Sequence, residues 1–82
     1  MSKLISVVVS VYNEELVLRE FYQETGAVLQ ALPEGWDYEL LFVNDGSRDR
    51  SLQILRELAE PDPKVKVVNF SRRAIYFPKD TL

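Results

Sequence analysis

Two short polar clusters hold the residues of this chain that are equipped for chemistry: Tyr12-Asn13-Glu14-Glu15 and Asn44-Asp45-Gly46-Ser47. Each closes an apolar, β-rich run and precedes a helical pattern. Tyr12 offers a flat ring on which a nucleobase can stack, a contact that contributes about 1–3 kcal/mol without any sequence code. Glu14 can accept hydrogen bonds from a base or a ribose. Asp45, ionised, only accepts, so it favours a base edge that presents a donor, such as N3–H of uracil. Gly46 allows close backbone approach. Either cluster alone reads first as a helix cap or a turn. Together, at the carboxyl ends of adjacent parallel strands, they point at one crevice, the place where open α/β sheets bind ligands.

Other chemistries are closed. The 82 residues include no cysteine and no histidine, so disulfides, thiolate metal sites, His-based triads and His-based zinc sites are excluded. Three glycines in all build neither a G-x-G-x-x-G turn nor a P-loop. Asp45 and Asp49 have the spacing of a metal pair on a helix, but Asp49 reads as a first-turn acid favoured by the helix dipole. Arg48, Arg50 and Arg56 read as a solvated helix face; Arg72 and Arg73, after the third strand, read first as a surface pair, with contact to a phosphate as the alternative. With 10 basic and 13 acidic residues the net charge is -3, which argues against a nucleic-acid partner. No apolar stretch approaches the ~18 residues of a membrane span. The N-terminus lacks a signal-peptide cleavage site, so a cytoplasmic product is expected.

The positioning elements follow from the spacing of apolar residues. Leu4–Val11 is a near-continuous apolar run, expected to be a strand covered on both faces. A helix is expected from about Glu14 to about Leu32, with Asn13 as N-cap and Glu14 and Glu15 in its first turn. Its apolar face would be Leu16, Leu18, Phe21, Tyr22, Val28, Leu29 and Leu32, and Pro33 and Gly35 end it. Tyr38–Asn44 is a second strand. Ser47 is placed to cap a second helix, with Leu52, Ile54, Leu55, Leu58 and Ala59 inward, ended by Pro61-Asp62-Pro63. Val65, Val67, Val68 and Phe70 make a third strand. The order β-α-β-α-β implies a parallel three-stranded sheet, spatial order 3-2-1, with right-handed crossovers. Residues 1–72 form the ordered part and 73–82 a divergent tail. A domain this small buries only roughly 60–65% of its unfolded surface. The free edge of the first strand makes self-association a possible outcome.

Val8-Val9-Ser10-Val11-Tyr12-Asn13-Glu14-Glu15 and Phe42-Val43-Asn44-Asp45-Gly46-Ser47-Arg48-Asp49 resemble the N-terminal signature of family 2 glycosyltransferases. The run from Asp62 to Arg72 is similar to the branch of dolichol-phosphate mannosyltransferases and bactoprenol (undecaprenyl-phosphate) glucosyltransferases. The resemblance covers about residues 3 to 72. It implies half of a Rossmann-like GT-A domain. It also implies a nucleotide-sugar donor, a UDP- or GDP-sugar, contacted by Ser10, Tyr12, Glu14, Val43 and Asp45. Ser10 stands where the family usually has proline.

In full-length relatives the resemblance implies a polyprenyl-phosphate acceptor, a place at the cytoplasmic face of the membrane, and a divalent metal (Mg or Mn) held by an Asp-x-Asp motif. No Asp-x-Asp occurs in this sequence. After Phe70-Ser71-Arg72 the family usually continues with Asn, an aromatic, Gly and Lys, whereas this chain reads Arg73-Ala74-Ile75-Tyr76-Phe77-Pro78. The expectation is therefore a truncated, N-terminal piece of a glycosyltransferase that retains the base and ribose side of the donor site, supplies no catalytic residue and is inactive alone. A non-catalytic nucleotide-binding or interaction module, or a remnant, are the alternatives.

Overall fold

The computed structural model describes residues 3–70. Five elements follow in order: β1 (Lys3–Val11), α1 (Leu18–Gln30), β2 (Trp36–Asp45), α2 (Ser51–Ala59) and β3 (Val65–Phe70). The strands form one parallel sheet in the order β1-β2-β3, which is the expected 3-2-1 order read from the other edge. The tail 73–82 lies outside the described residues.

The pairing register decides which residues share a face. Val7, Val9 and Val11 of β1 pair with Leu40, Phe42 and Asn44 of β2. Leu40, Phe42 and Asn44 pair in turn with Val65, Val67 and Asn69 of β3. Because strand side chains alternate, these nine lie on one face. The helices cover it. Leu18 and Leu29 of α1, and Ile54, Leu55 and Leu58 of α2, join Val11, Leu40, Phe42 and Val65 in the buried core. Phe21 meets Phe42 edge to face, with ring centroids 6.1 Å apart. Each fully buried Leu or Phe contributes about 1.5–3 kcal/mol relative to exposure, and this single layer is the main source of stability.

The opposite face carries Leu4, Ser6, Val8 and Ser10 of β1, beside Asp37, Glu39, Leu41 and Val43 of β2. It is open: Leu4 is 60% and Val8 63% exposed. The expectation of a first strand covered on both faces is therefore corrected. Right-handed crossovers in a 3-2-1 sheet put both helices on the same side, so no described element reaches the other. Ser6 and Glu39 are joined across that open face by a 2.6 Å hydrogen bond.

The first helix is shorter than its apolar spacing suggests. Glu14 to Val17 form a turn before α1, and the helix starts at Leu18 without a side-chain cap. Leu16, expected inside the apolar face, sits in that turn and is 93% exposed; Val28, on the outer side of α1, is also exposed. The second helix starts at Ser51 rather than just after Ser47. In both cases the polar side chains assigned to capping are engaged in a contact between loops.

Candidate functional site

The loop after β1 and the loop after β2 are stitched together by four hydrogen bonds. The Asn13 N–H donates to Ser47 Oγ at 3.0 Å, the Glu14 N–H to Ser51 Oγ at 2.8 Å, and the Glu15 N–H to Asp49 Oδ2 at 3.2 Å. In return the Arg48 N–H donates to Asn13 Oδ1 at 2.8 Å. Asn13 adopts a left-handed backbone with φ of 52°, which Asn tolerates better than most residues. Asn13 is thus not an N-cap: it turns the chain and holds the second loop. Ser47 does not cap α2, and Asp49 precedes that helix rather than lying in its first turn.

Asp49 has a double role. Its Oδ1 accepts the Ser51 N–H at 2.8 Å, which organises the start of α2, while Oδ2 takes the Glu15 amide. Burial pushes the carboxyl pKa up, but hydrogen bonds from Ser51 and Glu15 outweigh it and hold Asp49 below the usual carboxylate range. Ser51 is fully buried. Sequence reasoning passed over Ser51. The available signal was Asp-x-Ser just before an apolar helix, a spacing that favours a side-chain-to-backbone turn.

The residues expected to contact a nucleotide lie along this seam. Ser10 and Val43 are register partners on the open face, and Asp45 is two residues further along β2 on that same face. Glu14 and Ser10 border one small cavity of about 110 Å³, with Val9, Val11, Val17, Leu18 and Phe21 behind it. Tyr12 follows β1 directly and is 40% exposed. Asp45 Oδ1 is buried and has no hydrogen-bond partner among the described residues. Gly46, with φ of 70°, turns the backbone away immediately after it. On the covered face, Asn44 donates through Nδ2 to Asn69 Oδ1 at 2.9 Å, and so ties β2 to β3 behind the seam.

This arrangement limits what the seam can hold. Three successive amides, at residues 13, 14 and 15, would make an anion-binding nest if free; here Ser47, Ser51 and Asp49 occupy them. The seam's side chains carry both signs: Glu14, Glu15, Asp45 and Asp49 are acidic, and Arg48 and Arg50 flank Asp49. Nor do the donors fit a divalent metal. Both Asp49 oxygens accept N–H groups, and no group of three or more acidic side chains suited to a cation occurs among the described residues. What remains is an acceptor-rich, partly aromatic edge suited to a neutral donor such as a base N–H or a ribose hydroxyl.

Larger hollows lie at the other end of the sheet. One of about 240 Å³ is bounded by Tyr22, Gly26, Tyr38, Leu40 and Asp62. Two of its polar groups are matched to each other: the Tyr22 hydroxyl donates to Asp62 Oδ2 at 2.5 Å. It sits at the amino ends of β2 and β3, opposite the end where sheets of this kind take ligands.

Residues 6–75 match the family described as Glycosyl transferase family 2. Among similar proteins is an uncharacterized glycosyltransferase, YkcC, of Bacillus subtilis, 58% identical over 67 residues, which are 82% of this chain and 20% of that protein. An undecaprenyl-phosphate 4-deoxy-4-formamido-L-arabinose transferase of Pseudomonas aeruginosa is 48% identical over 59 residues, 72% of this chain and 17% of its own. A bactoprenol glucosyl transferase of Shigella phage SfV is 38% identical over 68 residues, 83% of this chain and 22% of its own. The chain thus spans about a fifth of the length of these relatives. No helix among the described residues is long and apolar enough to cross a membrane.

Proposed function

The chain belongs to glycosyl transferase family 2, and we propose that its β1–β2 seam is the base and ribose side of a site for a nucleotide-sugar donor. The observation that carries this reading is the Oδ1 of Asp45 at the end of the central strand, buried on the face the helices leave open and without a hydrogen-bond partner among the described residues. An unmatched buried acceptor is costly, and a ligand N–H removes that cost. The imide N3–H of uracil and the N1–H of guanine both present such a donor, in keeping with the UDP- or GDP-sugar that the family resemblance implies. Tyr12 supplies the stacking surface and Glu14 accepts from the ribose hydroxyls. Ser10 and Val43 shape the floor.

Relatives named for undecaprenyl-phosphate and bactoprenol support a polyprenyl phosphate as the acceptor of the complete reaction. The described residues bind and orient the nucleoside; among them we assign none to activating the acceptor or to holding the diphosphate. The 82-residue chain alone therefore binds donor without transferring sugar. Titration with UDP, UDP-glucose, GDP and GDP-mannose tests this. Binding selective for one base, with no transfer to a polyprenyl phosphate, is the expected result. Absence of binding by a folded chain overturns the donor reading, and measurable sugar transfer overturns the claim of inactivity.

A further inference from the structure

We propose that Asp49 is a positioning residue for the nucleoside site, holding the loop of Tyr12 and Glu14 against Asp45 without touching the ligand itself. The inference rests on the donor reading above and extends it to a residue outside the binding edge.

Asp49 is the side chain among the described residues that bonds both the start of α2 and the β1 loop, one oxygen to each. Hydrogen bonds to an ionised carboxylate are roughly twice as strong as neutral ones. The loop it holds needs holding. Asn13 occupies the left-handed region, which a non-glycine residue keeps only when its surroundings impose it. The turn at residues 14–17 precedes a helix that has no side-chain cap of its own. Without Asp49, the Glu15 amide is free and the turn can shift, carrying Glu14 away from Ser10 and from the end of β2. The price of re-ordering that loop then falls on ligand binding, which weakens affinity while leaving every ligand-contacting side chain in place.

The test uses the 82-residue chain, with uridine and guanosine as probes, calorimetric titration for affinity, and amide hydrogen exchange followed by NMR. In Asp49→Ala, exchange at the Glu15 amide is expected to accelerate roughly tenfold or more while the Phe42 amide, central in β2, keeps its rate. The dissociation constant for whichever nucleoside binds the native chain rises by roughly tenfold. Asp49→Asn keeps the shape and one carbonyl acceptor and recovers part of the loss. A general loss of stability would instead accelerate Phe42 as well. The positioning role is overturned if Asp49→Ala binds as the native chain does while Asp45→Ala does not, a result that leaves the donor reading standing. If neither nucleoside binds the folded native chain, both fall. Should Asp49→Ala not fold, Asp49→Asn decides: native affinity overturns the proposal, and weakened affinity with a faster Glu15 amide supports it.

Discussion

Asp49 Oδ2 accepts the backbone N–H of Glu15 at 3.2 Å across 34 positions of sequence. With Ser47 and Ser51 it closes every amide from Asn13 to Glu15 and fuses two loops into one rim. The backbone donors of residues 13–15 are thereby spent within the chain rather than offered to a ligand.

In the proposed site, Asp45 is the acceptor on which base recognition turns. Asp45→Ala removes the carboxylate and leaves a base N–H without a partner, so the affinity for the preferred nucleoside is expected to fall about tenfold to a hundredfold, the usual cost of losing a hydrogen bond to a charged group. Calorimetric titration of the purified chain reads this directly. Native affinity in the variant would remove Asp45 from the site.

Phosphate groups find no free amide at residues 13, 14 and 15. The three amides that could receive them are occupied, and the net charge is -3. Uridine and UDP, or guanosine and GDP, are expected to bind with dissociation constants within a few-fold of each other. A tenfold preference for the diphosphate would show that an anion subsite exists.

Gly26 lies inside α1, and a Cβ added there meets nothing within 4 Å. Replacing it by alanine removes backbone freedom from the unfolded chain at no steric cost. Gly26→Ala is expected to raise stability by about 0.5–1 kcal/mol, measured by urea denaturation, with nucleoside binding unchanged.

The pH limits of the fold also follow from named contacts. Lys64 holds Asp37 below the usual carboxylate range, Arg19 does the same for Glu57, and hydrogen bonds outweigh burial to lower Asp49. A carboxylate lowered by folding stabilises above its unfolded pKa and loses that contribution as pH falls through its folded value, so the melting temperature is expected to drop on acidification below about pH 4. At the other limit, the hydrogen bond to Asp62, then burial, raise the Tyr22 pKa to about 12. This contribution is complete below about pH 10 and disappears as pH rises toward 12. Melting curves of Tyr22→Phe are expected to show a shallower alkaline decline than those of the native chain.

The element order, the parallel pairing and the inward residues Ile54, Leu55 and Leu58 were legible because strong apolar runs alternate with helical spacing. The loops were less legible, for a physical reason. Asn13, Ser47 and Asp49 are all good cap residues, and local preference assigns each to the nearest helix. In the folded chain the loop across the seam competes for the same polar atoms and prevails, which delays α1 to Leu18 and α2 to Ser51. Such a contact joins residues more than 30 positions apart and leaves no local trace. The open sheet face was misread for a related reason. Leu4 and Val8 are as apolar as Val7 and Val9, so composition alone does not say which side of β1 the helices cover.

The most direct measurement is a map of backbone amide chemical shifts during titration of the chain with uridine and guanosine. The account predicts that the shifts concentrate at residues 10–15 and 43–47, on the rim joined by Asp49. Shifts gathered instead around Tyr22, Tyr38 and Asp62 at the opposite end of the sheet would contradict it.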